Sequence, residues 1–156
     1  MLPDFTDHIR IEPWPDPVID QVGHDPRSIY VEWFWLSVLG PSTIWLLRRL
    51  VAALDHQPDG FDLDVSECAA ALGLQTNAGR NAIFLRTLHR ACQFHLARRI
   101  DASTLQVRRH IPPLTRGQVL RLPPSLRDAH DRWLADELAQ HRAERDAAAF
   151  VANDVA

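Results

Sequence analysis

The chain has 156 residues, 46% hydrophobic and 24% charged. These proportions argue against a disordered chain and suffice for one domain, or one domain with tails, around a sizeable core. The net charge is −3, so bulk charge alone points to no polyanion. The two cysteines, Cys68 and Cys92, lack the CxxC spacing of a zinc site or a disulfide framework. MLPDFTDHIR has no basic stretch leading into an apolar one, and Glu32 and Gly40-Pro41 interrupt the longest apolar run. No signal peptide, membrane helix or membrane partner is expected, and the reading is a cytoplasmic protein.

Residues 1–25 are rich in Pro and Asp. Proline fixes φ and removes a donor, so an extended acidic arm is expected, with Ile11 and Trp14 pinning it to the body. Residues 26–39, PRSIYVEWFWLSVL, read as a buried helix with Asp25 as N-cap and Pro26 in the first turn. A strand is the alternative, because the run is aromatic-rich. Residues 41–57 give an amphipathic helix with Leu46, Leu47, Leu50, Val51 and Leu54 on one face. Trp45 lies beside that stripe, and Arg48 and Arg49 lie towards the other side. Trp33, Trp35 and Trp45 read as core, Trp14 and Trp133 as packing anchors.

FDLDV, residues 61–65, alternates as a short half-buried strand. Asp64, with Glu67 three residues on, starts a helix ending at Gly73. After a loop, Asn81 caps a helix running to about Phe94, with Phe84, Leu85, Leu88, Ala91 and Cys92 inward. Segments 95–100 and 105–111 read as a hairpin pairing Ile100 with Leu105, ended by Pro112-Pro113. A short helix over 115–121 precedes a long one from about Pro124. Its stripe is Leu126, Ala129, Trp133, Leu134 and Leu138, packing on the body or on a second copy of the chain, as in a homodimer.

The fold class is therefore mainly α with a small β-hairpin. A winged helix-turn-helix core carries an N-terminal arm (1–25), a preceding buried helix (within 26–111) and a C-terminal helical extension (112–156). FDLDVSECAAALGL, followed by a helix and an Arg-rich hairpin, resembles the winged-helix domains of bacterial DNA-binding proteins over about residues 41–111. VEWFWLSVLGPSTIWLLRRL also resembles the start of the winged helices in Gram-positive primosome proteins. The whole chain looks like one of the uncharacterised actinobacterial winged-helix proteins, a group that brings no activity with it. All 17 basic residues are arginine, which suggests a GC-rich bacterial coding sequence.

Charge is segregated in a way the net value hides. Residues 1–79 carry 4 Arg against 12 acids, residues 80–127 carry 10 Arg against 1 acid, and residues 128–156 carry 3 Arg against 7 acids. Either the acidic ends fold back on the basic middle, or the middle is a polyanion surface. Winged-helix geometry puts the third helix in the major groove and the wing on backbone or minor groove. The helix residues so placed are Arg80, Asn81, Arg86, His89, Arg90 and Gln93. The wing residues are Arg98, Arg99, Arg108 and Arg109, with Arg99 and Arg108 as diagonal neighbours on the outer face. Arginine offers bidentate donors to guanine or phosphate, and asparagine reads adenine.

Each has a plainer role open to it. Asn81 suits a helix cap, His89 and His95 suit surface or partly packed positions, and Arg98 and Arg109 can pair with the acidic arm. No GxGxxG, Walker A, HExxH or GxSxG pattern occurs; Cys92 and His95 stand three apart with Cys68 nearby in sequence, but Cys92 falls on the apolar face and His95 begins a strand, so no metal site is expected. The expectation is a non-enzymatic duplex-DNA-binding protein, a regulator or nucleoid factor, without cofactor, metal or identified small-molecule effector. The competing expectation is a protein-interaction module, with an acidic protein as the natural partner of the basic middle.

Overall fold

The computed structural model describes residues 6–75 and 82–154. The chain divides into two compact units, Met1–Leu114 and Thr115–Ala156. Among the described residues the architecture is mostly helical with one four-stranded sheet.

The first unit opens with β1 (His8–Pro13) and α1 (Pro17–Val22). A helix over 29–39 follows, its middle widened into a π-helical turn, Val31–Trp35, and closed by α2 (Leu36–Leu39). Then come α3 (Pro41–His56), β2 (Phe61–Asp64), α4 (Val65–Ala71), α5 (Ala82–Gln93) and the hairpin β3 (Ala97–Arg99) and β4 (Thr104–Val107).

The largest departure from expectation is β1. The acidic arm is not peripheral: its HIRIEP segment is an inner strand, in the order β2-β1-β4-β3. β1 runs antiparallel to β2 and parallel to β4. The alternation of HIRIEP explains this. Ile9 and Ile11 face the core with no exposure, while His8, Arg10 and Glu12 occupy the other face. The next residues are also fastened. Trp14 N donates to the Val107 carbonyl at 2.8 Å, and His24 and Ile111 exchange backbone bonds of 2.8 and 2.7 Å. Asp16 caps α1 by accepting from Val18 and Ile19.

The hairpin forms where expected, but its register differs by one residue. Arg99, not Ile100, pairs with Leu105, and Ala97 pairs with Val107. A one-residue slip exchanges the faces of a strand. Ala97 is therefore buried and Ile100 is 52% exposed. Arg98 lies opposite Gln106 on the outer face, and Arg99 shares the inner face with Leu105. The expected diagonal pair of Arg99 and Arg108 on the outer face does not form.

α3 carries the expected stripe, with Leu46, Leu47, Leu50, Val51 and Leu54 at 1% exposure or less. It packs against α5, which contributes Phe84, Leu88 and Ala91. Asp64 caps α4 by accepting from the Glu67 amide at 2.9 Å, as read from the sequence. The helix over 29–39 starts later than expected, since Asp25 binds the Arg27 amide instead of capping a helix. Its inner side is anchored by polar bonds. Trp35 Nε1 donates to the Pro112 carbonyl at 2.9 Å, and the Leu114 amide donates to the Tyr30 hydroxyl at 3.0 Å. Gly60 has φ +113°, and a Cβ there would collide with the Ile11 carbonyl, so glycine lets the turn before β2 approach β1.

The second unit holds α6 (Arg116–Leu120) and α7 (Pro124–Asp154). Thr115 and Gln118 form a reciprocal capping box on α6. On α7 the covered line is Leu126, Ala129, His130, Trp133 and Glu137, at helical spacing. Leu138, expected in the packing stripe, is 63% exposed, and Leu134 is 42% exposed. Burial holds the His130 imidazole below the usual histidine range, against the opposing pull of Asp131 and Glu137.

Candidate nucleic-acid interface

The amphipathic pattern of α5 decides what it shows to solvent. Phe84, Thr87, Leu88 and Ala91 point inward, so Arg86, Arg90 and Gln93 are left exposed and His89 half-buried at the border. These four residues, with Ile83 and Thr87, form one wall of an open cleft of about 480 Å³. The other wall is Leu39 to Thr43, the junction of α2 and α3. Gly40 makes that junction possible with φ +81°, a left-handed conformation that glycine adopts without a Cβ clash.

Arg86 makes no hydrogen bond or ion pair with a described residue. Arg90 reaches from α5 to the helix over 29–39, donating to the Val38 carbonyl at 2.7 Å and lying 5.5 Å from the Phe94 ring. The Nδ1 of His89 is buried without a hydrogen-bond partner among the described residues. No acidic side chain is among the described residues lining the cleft. Arg80 and Asn81, the other two sequence-predicted helix residues, lie outside the described residues.

The four hairpin arginines are placed differently. Arg98 donates to Gln106 Oε1 at 2.7 Å, and Gln106 in turn donates to Glu12 at 3.3 Å. Arg108 binds Asp16 at 2.7 Å and the His95 carbonyl at 2.8 Å, leaving its side chain 14% exposed. Both guanidinium groups stack on Trp14, at 4.4 and 3.8 Å from the ring centre. Arg109 pairs with Asp55 of α3, which also accepts from Arg27 at 2.7 Å. Arg99 donates to the Asp101 carbonyl at 2.9 Å. The expected pairing of the arm with Arg98 and Arg109 is thus realised differently. Glu12 reaches Arg98 through Gln106, the direct arm pair is Asp16 with Arg108, and Arg109 turns to α3.

These contacts mark the carboxylates. The Arg108 guanidinium holds Asp16 below the usual carboxylate range, and Arg27 does the same for Asp55. Burial pushes the thiols of Cys68 and Cys92 up, which keeps them protonated. No group of three or more His, Cys, Asp or Glu fit to hold a metal occurs among the described residues. None of their helices is long and apolar enough to cross a membrane.

Two tryptophans read as core are not core. Trp33 is 54% exposed and Trp45 58% exposed, while Trp35 is buried as expected. Sequence reasoning also passed over Arg49 as a site residue. It is exposed on α3 and lines a second cleft of about 430 Å³ with Pro41, Ser42, Trp45, Ala71 and Leu72. The available signal was the helical spacing itself, which puts Trp45 and Arg49 four residues apart, off the leucine stripe. No family model, curated protein or solved structure matches the chain.

Proposed function

We propose that the protein is a non-enzymatic duplex-DNA-binding protein with a winged-helix core, serving as a transcription regulator or nucleoid-associated factor. The order α3-β2-α4-α5-β3-β4 supports the winged-helix reading, with β1 inserted between β2 and the wing strand β4. The observation that carries the function is the acid-free face of α5. Arg86, His89, Arg90 and Gln93 recur at helical spacing on the outer side of a helix whose other side is core. Such a face offers charge-assisted donors to phosphate and to base edges, and no carboxylate among the described residues lining the cleft stands there to repel a phosphate.

The test is fluorescence anisotropy of a labelled duplex, titrated with the full chain at several salt concentrations. With Arg86 and Arg90 on phosphates, log affinity falls against log salt with a slope of about −2. Failure to bind any duplex at low salt overturns the proposal. A second reading then stands, that of a protein-interaction module. It is favoured by the exposed apolar residues Ile29, Trp33 and Leu36, which follow one another along the helix over 29–39.

A further inference from the structure

The cleft beside α5 has a neighbour at α3. It shares Pro41 and Ser42 with the second cleft, so both border the first turn of α3. The second cleft is different in kind. Its lining combines the apolar Pro41, Ala71 and Leu72 with the exposed indole of Trp45 and the exposed side chain of Arg49. Arg48 lies over the Trp45 ring, 4.7 Å from its centre, so the indole carries a cation on one side. Arg49 makes no hydrogen bond or ion pair with a described residue. No Asp or Glu is among the described residues lining either cleft.

A duplex shows phosphates and base edges to a protein, but its ring faces are stacked on one another. An exposed aromatic side chain next to a free guanidinium is the pairing that holds an unstacked base and its phosphate. Trp45 and Arg49, at i and i+4, are neighbours about 5–6 Å apart on the helix surface. The path also bypasses the hairpin, whose arginines are occupied within the chain.

We propose that the nucleic acid bound at α5 continues as a single strand across the first turn of α3, with an unpaired base stacked on Trp45 and its phosphate on Arg49. The inference rests on the nucleic-acid reading of α5 and narrows its ligand. The preferred form is a duplex with a single-stranded extension, not a blunt duplex.

The experiment compares a labelled blunt duplex with the same duplex carrying an eight-nucleotide single-stranded extension, using the full chain. The extension tightens binding. Trp45→Ala removes that gain, a loss of about 5- to 150-fold on the extended substrate, and leaves the blunt duplex unchanged. Arg49→Ala acts in the same direction, and Trp45→Phe retains most of the gain because a phenyl ring still stacks. Arg86→Ala weakens both substrates alike. If the extension brings no gain, or if Trp45→Ala leaves the extended substrate untouched, the inference is overturned while the reading of α5 stands. If Arg86→Ala changes neither substrate, the reading of α5 fails instead. Binding of neither substrate overturns both. Because Trp45 is exposed, circular dichroism of its variants should match the parent.

Discussion

α5 and the hairpin β3-β4 are both arginine-rich, and in the linear sequence both belong to one basic block. Folding separates them. The hairpin lies beside β1, so Glu12, Trp14 and Asp16 meet its arginines. α5 turns its arginines to a cleft whose described lining residues include no acid. A positive charge count therefore measures potential, and the neighbouring strands decide how much of it reaches a ligand. The acidic N-terminal residues neutralise part of the basic middle, as one reading of the charge blocks has it, but by becoming part of the sheet.

The largest test of this contrast is removal of residues 1–25. An arm laid over a DNA-binding surface would release that surface when deleted. An inner strand would take the sheet with it, since β2 and β4 each pair with β1. The expected outcome is loss of the cooperative unfolding transition, followed by circular dichroism on heating. Single changes make the point more finely. Ile9→Ala and Ile11→Ala, both at fully buried positions, should each cost about 2–5 kcal/mol. A truncated chain that folds and binds DNA more tightly would restore the picture of a detachable arm.

How much of this was legible follows from which signals were local. The leucine stripe of α3 and the Asp64 cap depend on neighbours within a turn, and both formed as read. The strand in HIRIEP was also written locally, as an alternation of Ile9 and Ile11 with charged residues. The surrounding prolines and aspartates outweighed it, because they signal irregular chain wherever they cluster. The hairpin register needed a non-local fact. β3 has only three residues, Ala97 inside it competes for the inner face with the flanking Leu96 and Ile100, and β1 beside β4 helps select the face of Ala97 and Val107. Trp33 and Trp45 were misread for another reason. Aromatic type was taken as a sign of burial, although each sits outside the buried stripe of its own helix. In the candidate site, the α5 residues were legible because one helix face carries them. The extension to Trp45 and Arg49 was not, because it joins α3 to the end of α4 across the fold.

A paired substitution breaks the contrast between the two arginine-rich regions if it is wrong. Arg108→Ala removes a charge-assisted bond to Asp16, a bond to the His95 carbonyl and one side of the Trp14 stack. Its cost in unfolding free energy should be about 2–3 kcal/mol. Arg86→Ala touches no such network, and its stability should stay within about 0.5 kcal/mol of the parent. In DNA binding the order reverses. Arg86→Ala should weaken binding about equally for all duplex sequences and flatten the salt slope by about 1, as loss of a phosphate contact does. Denaturant titration and anisotropy on the same two proteins read both effects. Equal losses in both assays for both variants would erase the distinction.

Acid should act through the carboxylates that the arginines hold. Asp16 is held below the ordinary carboxylate range by Arg108, and Asp55 by Arg27. A carboxylate with a lowered folded pKa contributes its full stability above its unfolded value, near 4, and loses it as pH falls through the folded value. Stability of the first unit should therefore show no loss from these pairs between pH 7 and pH 5, and a decline below about pH 4. Asp16→Asn should lower stability at pH 7 and shallow the acid decline. An unchanged acid profile in that variant would mean that the Asp16–Arg108 pair contributes nothing.

The smallest expected effect lies at the joint between the two regions. His95 follows α5 and precedes β3, with φ +56°. Its amide and that of Leu96 donate back to the Cys92 and Ala91 carbonyls at 3.0 Å each, so the last turn of α5 closes through a left-handed residue. Glycine is the usual occupant of such a position, because a Cβ there is strained. The His95 carbonyl is also the acceptor for Arg108 Nε, a backbone role that any residue can fill. His95→Gly should thus relieve strain without breaking the hairpin contact. Relief of left-handed strain, about 1–2 kcal/mol, is offset by about 0.4–1 kcal/mol of added freedom in the unfolded chain, leaving a net stabilisation of about 0.5–1 kcal/mol. Duplex affinity should not change, because the imidazole is not among the residues lining the cleft. A stabilised variant with unaltered affinity would show that the joint serves the fold alone. Weakened binding would place the His95 ring in the interface and join the hairpin to α5 as one surface.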